Sequence, residues 1–182
     1  KYTSTVETPV SPGTVTVIVS SIVSPGFSVK IFSVGSMVID RLYQKIYEFD
    51  FQDASFVHDP GVEAARRDIE EQFGTLAPAV WPQWEAKLAA RTELDLGRLR
   101  ERESLIKGEI ERTLAVGRMV RGVLTAAGAP TRAEQIGISP PELESAIRQG
   151  RKIRDRYTAL DVAAELGILE GFADSFTTEG AD

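Results

Sequence analysis

Val38-Ile39-Asp40-Arg41-Leu42-Tyr43-Gln44-Lys45-Ile46-Tyr47-Glu48-Phe49 decides the fold class. Val38, Leu42, Ile46 and Phe49 recur at the helical period, and Ile39, Tyr43 and Tyr47 widen the stripe beyond one wetted face. A helix with so broad an apolar face has to be buried against other helices. Downstream the same period returns. Val62, Ala65, Ile69 and Phe73 share a face, with Glu70 and Glu71 turned away and Gly74 as the stop. The Asp59-Pro60 step reads as the start of that helix. Leu99, Ile106, Ile110 and Leu114 mark another helix with Arg100, Glu101, Arg102 and Glu103 on its wet side, while Gly97 and Gly108 threaten its continuity. Gly117 to Ala127 reads as a separate short helix carrying Met119, Val120, Val123 and Leu124. Between Thr75 and Gln83, a proline-bounded stretch reads as a connection.

The C-terminal third is the most clearly punctuated. Thr131 with Glu134 three residues later fits a capping box. Ser139-Pro140-Pro141-Glu142 supplies an N-cap, proline in the first turn and an acid beside the helix dipole. Leu143, Ala146, Ile147 and Gly150 would line the inner face of the helix that follows. Thr158 or Asp161 caps a last helix with Leu160, Ala164 and Leu166 apolar, ended at Gly167. Ile168, Leu169 and Phe172 are placed to pack back onto it.

Upstream of Val34 the composition changes. Residues 1–33 hold 12 Ser or Thr and 7 Val, with Lys1, Glu7 and Lys30 as the only charges. Residues 14–23 alternate and are β-branched, as in a strand. After Pro25-Gly26, the run Phe27-Ser28-Val29-Lys30-Ile31-Phe32 suggests a second strand closing a hairpin. The expectation is therefore a mainly α, multi-helix bundle of six or seven helices with a short N-terminal β-ribbon. Its parts are residues 1–33 as a strand-like segment, 34–173 as the helical domain and 174–182 as a frayed tail. A lone two-stranded hairpin is marginal, so a covering partner or a homodimer is plausible.

Composition excludes several function classes. With 182 residues, 42% hydrophobic and 26% charged, the chain is long enough for a real core and ordinary for a soluble domain. Without cysteine there is no disulfide, redox pair or thiolate zinc site. One histidine rules out a multi-His cage. A net charge of −6 opposes binding to nucleic acid through phosphate neutralisation. Ser20, Ser21, Ser24, Pro25 and Gly26 interrupt residues 14–34, so neither a membrane span nor a signal peptide is expected, and a cytoplasmic protein is the default. Lys1 in place of Met reads as a fragment or processed product.

Candidate chemistry is sparse. His58 would need two or three further ligands and reads as a surface or helix-start residue. Asp50, Asp53 and Asp59 surround the same loop, where carboxylates usually cap turns. Glu70-Glu71 reads as a solvated face. Ser33-Val34-Gly35-Ser36 ahead of a helix offers backbone N–H groups to an anion, yet a Gly-Ser helix start is too common to mark a phosphate site. Dinucleotide, Walker and nucleophile-elbow motifs are absent. Residues 133–139 ahead of an amphipathic helix have helix-turn-helix punctuation, followed by Arg148, Arg151, Lys152, Arg154 and Arg156. However, Glu142 and Glu144 occupy the half of the helix that would enter a groove, and bases at a helix C-terminus also complement its dipole. No nucleic-acid partner is expected.

Gly128-Ala129-Pro130-Thr131-Arg132-Ala133-Glu134-Gln135-Ile136-Gly137-Ile138-Ser139, then Ile153 to Leu169 (IRDRYTALDVAAELGIL), resembles the C-terminal end of sn-glycerol-1-phosphate dehydrogenases. These are relatives of dehydroquinate synthases and iron-type alcohol dehydrogenases. Arg41 to Asp50 (RLYQKIYEFD) resembles a helix of that family, and Val80-Trp81-Pro82-Gln83-Trp84 is compatible with it. The likeness spans about residues 34–173. It implies a fold in which an α/β domain binds NAD(P)H and a helical domain helps hold a divalent metal, usually Zn²⁺. It also implies reduction of dihydroxyacetone phosphate for phospholipid biosynthesis, with the ion polarising the ketone as hydride arrives. The family's metal ligands, an Asp and two His, have no counterpart here, and His58 lies after the helix they precede. No catalytic, cofactor-binding or metal-ligating residue carries over. NAD(P)H and Zn²⁺ are not expected to bind this chain alone, and a dinucleotide-binding domain is the expected partner. The alternatives are a non-catalytic helical interaction module or, more remotely, a DNA-binding protein.

Overall fold

A computed structural model describes the backbone of residues 25–55, 57, 61–90 and 95–178, and side chains from Phe32 onward within those ranges up to Phe176. Among the described residues the molecule is an all-helical bundle without strands. The helices are α1 (Pro25–Glu48), α2 (Val62–Phe73), α3 (Ala77–Ala90), α4 (Leu96–Glu101), α5 (Glu103–Ala126), α6 (Pro140–Gln149), α7 (Ala159–Glu165) and α8 (Leu169–Thr178). Because α4 and α5 part only at Arg102, counting them as one broken helix gives the seven expected.

The predicted stripe on α1 is the centre of the core. Leu42 is fully buried, Val38 and Ile46 nearly so, and Ile39, Tyr43 and Tyr47 pack at the margins. They meet Leu99, Ile110 and Leu114 on one side and Ile147, Ala163, Leu166, Leu169 and Phe172 on the other. The α1 helix runs antiparallel to α5. Ser33 Oγ donates to Pro130 O (2.7 Å), just past the end of α5, whereas Asp40 pairs with Arg121 near its last turns.

Several expectations need correcting. The first proposed strand, 14–23, lies outside the described residues. The second, 27–32, is helical, and the boundary proposed at residue 33 falls inside α1. The spacing 27, 31, 34, 38 extends the helical period upstream, and the local alternation of 27–32 concealed it. Residues 75–83 are not a connection, because only Gly74–Leu76 forms a turn and α3 runs straight through Pro82. Pro82 forfeits one backbone hydrogen bond, but Ala77, Val80 and Trp84 bury themselves against Ala65 and Ile69 of α2, and that packing decides. Val62 is exposed rather than part of the apolar face. The helix α5 is continuous through Gly108 and Gly117, and Met119 and Val123 face outward. Ala146 is likewise exposed. The tail expected to fray from Asp174 is helical to Thr178, since Phe176 stacks edge-on against Phe172 (5.2 Å) and under the Arg41 guanidinium (4.4 Å).

Gly117 explains how α1 and α5 approach so closely. A Cβ there would run into the Asp40 carboxylate, with its Cγ only 3.1 Å away, whereas one at Gly122 meets nothing within 4 Å. Mid-helix glycine costs about 1 kcal/mol relative to alanine. Gly122→Ala is therefore expected to raise stability by up to about 1 kcal/mol. Gly117→Ala should fail to stabilise and should lower the urea midpoint, because it displaces a mostly buried carboxylate from Arg121. Equal stabilisation by both would show that the close approach carries no constraint.

Candidate functional site

The apolar interior is divided. Ala65, Ile69, Ala77, Val80 and Trp84 form a small cluster within the α2–α3 hairpin, distinct from the main core around Leu42. Between the two lies a set of buried charges. Lys87 is 3% exposed, and Arg151, Asp161 and Glu165 are equally hidden. Lys87 sits one turn beyond Trp84 in the 77, 80, 84, 87 register, so α3 drives it inward together with its apolar neighbours. Asp161 and Glu165 are one turn apart on α7, on the same inward face.

The Lys87 ammonium spends its protons completely. Nζ donates to Asp161 Oδ1 (3.1 Å) and Oδ2 (3.0 Å) and to the Arg151 carbonyl oxygen, which accounts for three donors. Asp161 Oδ2 also accepts from the Thr158 backbone N–H (2.8 Å) and from Thr158 Oγ1 (2.8 Å). One carboxylate thus caps α7 and neutralises the lysine of α3. Beside it, Glu165 Oε2 accepts from Tyr157 Oη (2.7 Å). The Arg151 guanidinium lies 4.9 Å from the Trp84 ring centroid and Lys87 Nζ lies 5.4 Å from it, both within cation–π range. The Trp84 indole N–H finds no acceptor among the described residues. Lys152 pairs with Asp68 of α2, adding a second tie from the 150–153 turn to the hairpin.

This arrangement offers little to a substrate. An ammonium with every proton engaged is no general base or Schiff-base nucleophile, and the Asp161 carboxylate is already neutralised by it and accepts four hydrogen bonds, three of them on Oδ2. Its chemical competence is mechanical, holding α3 at one register against α7.

The remaining candidates are not brought together. Asp50 Oδ1 accepts from Gln52 N–H (2.8 Å), the turn-capping role expected of it, and Asp53 is exposed. His58 and Asp59 lie outside the described residues. Glu70 pairs with Arg66 on the surface of α2 (3.4 Å), and Glu71 is exposed. Residues 33–36 lie inside α1, where their N–H groups are committed to the helix, so they form no anion cradle. In the helix-turn-helix reading, Gly137 does adopt a left-handed turn (φ 80°) before Ser139 caps α6. Of the bases beyond it, Arg148, Arg151 and Lys152 serve internal contacts, while Arg156 is exposed. Arg148 holds Glu144, Glu170 and Asp174 and so locks α6 onto α8, while Arg151 is buried. The box expected at Thr131/Glu134 is built by Gln135, whose Oε1 accepts from the N–H groups of Thr131 (2.7 Å) and Arg132 (2.9 Å).

The described residues do not fit the divalent metal that the family likeness implies. Among them no three imidazole or carboxylate groups converge; of the buried carboxylates, Asp161 is held by Lys87 and Glu165 by Tyr157 through Oε2, while Glu165 Oε1 has no hydrogen bond among the described residues. Comparison of the chain with known protein families, curated proteins and solved structures finds no match.

The clamp and the caps make two predictions. Lys87→Met leaves the Asp161 charge buried without its cation and is expected to cost about 3–5 kcal/mol in urea unfolding. Adding Asp161→Asn should restore part of that loss, since asparagine keeps an acceptor for Thr158 without the charge. A cost below about 1 kcal/mol would mean the pair behaves as a solvated one. At the start of α6, the Ser139 hydroxyl and backbone N–H hold the Glu142 carboxyl below its usual 4.5. A lowered folded value gives stabilisation present above the unfolded pKa and lost as pH falls through the folded one. The stability gap between the wild type and Glu142→Gln should therefore close as pH is lowered from neutrality to about 3. A gap independent of pH would contradict the box.

Proposed function

We propose that the chain is the C-terminal helical portion of a glycerol-1-phosphate dehydrogenase-like oxidoreductase. It acts as the scaffold against which a dinucleotide-binding domain docks, and does not carry the reaction alone. The observation that carries this reading is where the family-like residues fall. Tyr157, Thr158, Asp161 and Glu165 all belong to the resembling run 153–169 and supply most of the buried clamp. The 128–139 run supplies the Pro130 carbonyl that accepts from Ser33 of α1 and the turn that leads into α6. The likeness is thus one of architecture, which is what a helical half-enzyme would retain. In the whole enzyme, dihydroxyacetone phosphate would be reduced to sn-glycerol 1-phosphate by NAD(P)H bound to the other domain.

The test uses the purified chain with dihydroxyacetone phosphate and NADH or NADPH, with and without Zn²⁺. A separately expressed dinucleotide-binding domain of a glycerol-1-phosphate dehydrogenase is then titrated in by calorimetry. No NAD(P)H oxidation by the chain alone and saturable one-to-one binding to that domain are expected. Metal-dependent turnover by the chain alone, or no association with the domain, would overturn the proposal. A second reading, a non-catalytic helical interaction module that kept the packing and lost the chemistry, is favoured by one observation, the apolar outer face of α5.

A further inference from the structure

The seam between the α2–α3 hairpin and the rest of the bundle differs from every other contact in the fold. Across it run Lys87 to Asp161 (3.0 Å), Lys87 to the Arg151 carbonyl oxygen, Asp68 to Lys152, and the Arg151 guanidinium over Trp84. No apolar side chain belongs both to the cluster around Trp84 and to the core around Leu42. The hairpin's principal neighbour in the bundle is the short 150–153 turn rather than α1 or α5. On either side of the hairpin the chain is fixed to the bundle. Before α2, the Ala54 carbonyl accepts from Arg100 Nη2 (2.7 Å), and the Val57 N–H donates to the Glu165 carbonyl oxygen (2.9 Å). After α3, Asp95 caps α4 and Leu99 enters the main core.

Apolar and ionic contacts part at different cost. Separating two apolar surfaces forfeits their burial in full. Separating a buried ion pair loses the attraction but returns both ions to water, and the two effects largely cancel. Parting at the seam is therefore easier than opening either apolar cluster. We propose that the α2–α3 hairpin is a flap that swings off the bundle as one folded unit in the native state. It parts at Lys87–Asp161 and Lys152–Asp68 while the clusters around Trp84 and Leu42 both stay closed. The open form is a minor state, of the sub-global kind that proteins visit without unfolding. It presents to solvent what the closed form hides, the Lys87 ammonium on the flap and the Asp161 carboxylate on α7. The flap does not rest on the dehydrogenase likeness, since every contact it breaks lies within this chain.

Acylation of the full chain by N-hydroxysuccinimidyl acetate, mapped lysine by lysine with mass spectrometry, tests it. Lys87 is expected to label measurably, but at least about a hundredfold more slowly than the half-exposed Lys45 of α1. Its rate should rise only weakly with urea, because flap opening bares a small part of the surface that global unfolding bares. Asp68→Asn weakens the tie carried by the other helix of the hairpin and should speed Lys87 labelling at least about threefold. Ile110→Val thins the main core on α5 and should lower the urea midpoint. It should still leave Lys87 labelling within about twofold of wild type, because the open form keeps that core. Lys87 labelling that shares the urea dependence of global unfolding and accelerates with Ile110→Val would overturn the proposal. So would a Lys87 as reactive as Lys45, or one indifferent to Asp68→Asn.

Discussion

The Lys87–Asp161 pair is the constraint on which the remaining organisation depends. Apolar packing alone leaves the α2–α3 hairpin with its own small cluster around Trp84 and Ile69, while the main core closes around Leu42 without it. What joins them is polar and buried: the lysine of α3, the cap carboxylate of α7, the Arg151 carbonyl and a guanidinium over Trp84. Buried ion pairs are rarely net sources of stability, because desolvation offsets most of the attraction. Their consequence is specificity. A greasy contact tolerates sliding by a turn, whereas Lys87 can reach a carboxylate and a carbonyl together at only one register of α3 against α7. Asp161 also caps α7, so the last part of the bundle and the hairpin are committed by the same side chain.

The sequence was most legible where a residue's local preference and its tertiary role agree. The 38–49 stripe, the Ser139 and Thr158 caps and the Gly74 and Gly167 stops all work within a few residues, and they stand where the spacing puts them. It was least legible where packing overrides propensity. Pro82 and Pro78 argue for a break, yet α3 forms because Val80 and Trp84 are buried on α2. Gly117 reads as the start of a separate helix, yet it lies within α5 as a contact that lets Asp40 of α1 lie against it. Residues 27–32 alternate locally but belong to a longer helical period. The clamp went unread because Lys87 looks like any surface lysine. Only its phase with Ala77, Val80 and Trp84 could have betrayed it, and that phase is invisible while 75–83 is taken for a loop.

For function, the consequence is a division between inside and outside. Buried Lys87 and Asp161 are engaged with each other, and the Arg148 and Lys152 cations that suggested a nucleic-acid surface bind acids of neighbouring helices. What remains turned outward on α5 is an apolar stripe of Leu105, Val116, Met119 and Val123.

The central claim is that a buried charge pair, rather than apolar continuity, couples the hairpin to the bundle. Both tryptophans, Trp81 and Trp84, lie on α3, so their fluorescence reports the hairpin while far-UV circular dichroism reports all the helices. Urea unfolding followed by the two signals should give coincident curves for the wild type. In Lys87→Met the fluorescence transition should separate from the dichroism transition and fall at lower urea, as the hairpin detaches first. Curves that stay superimposed in the variant, at the wild-type midpoint, would contradict the account.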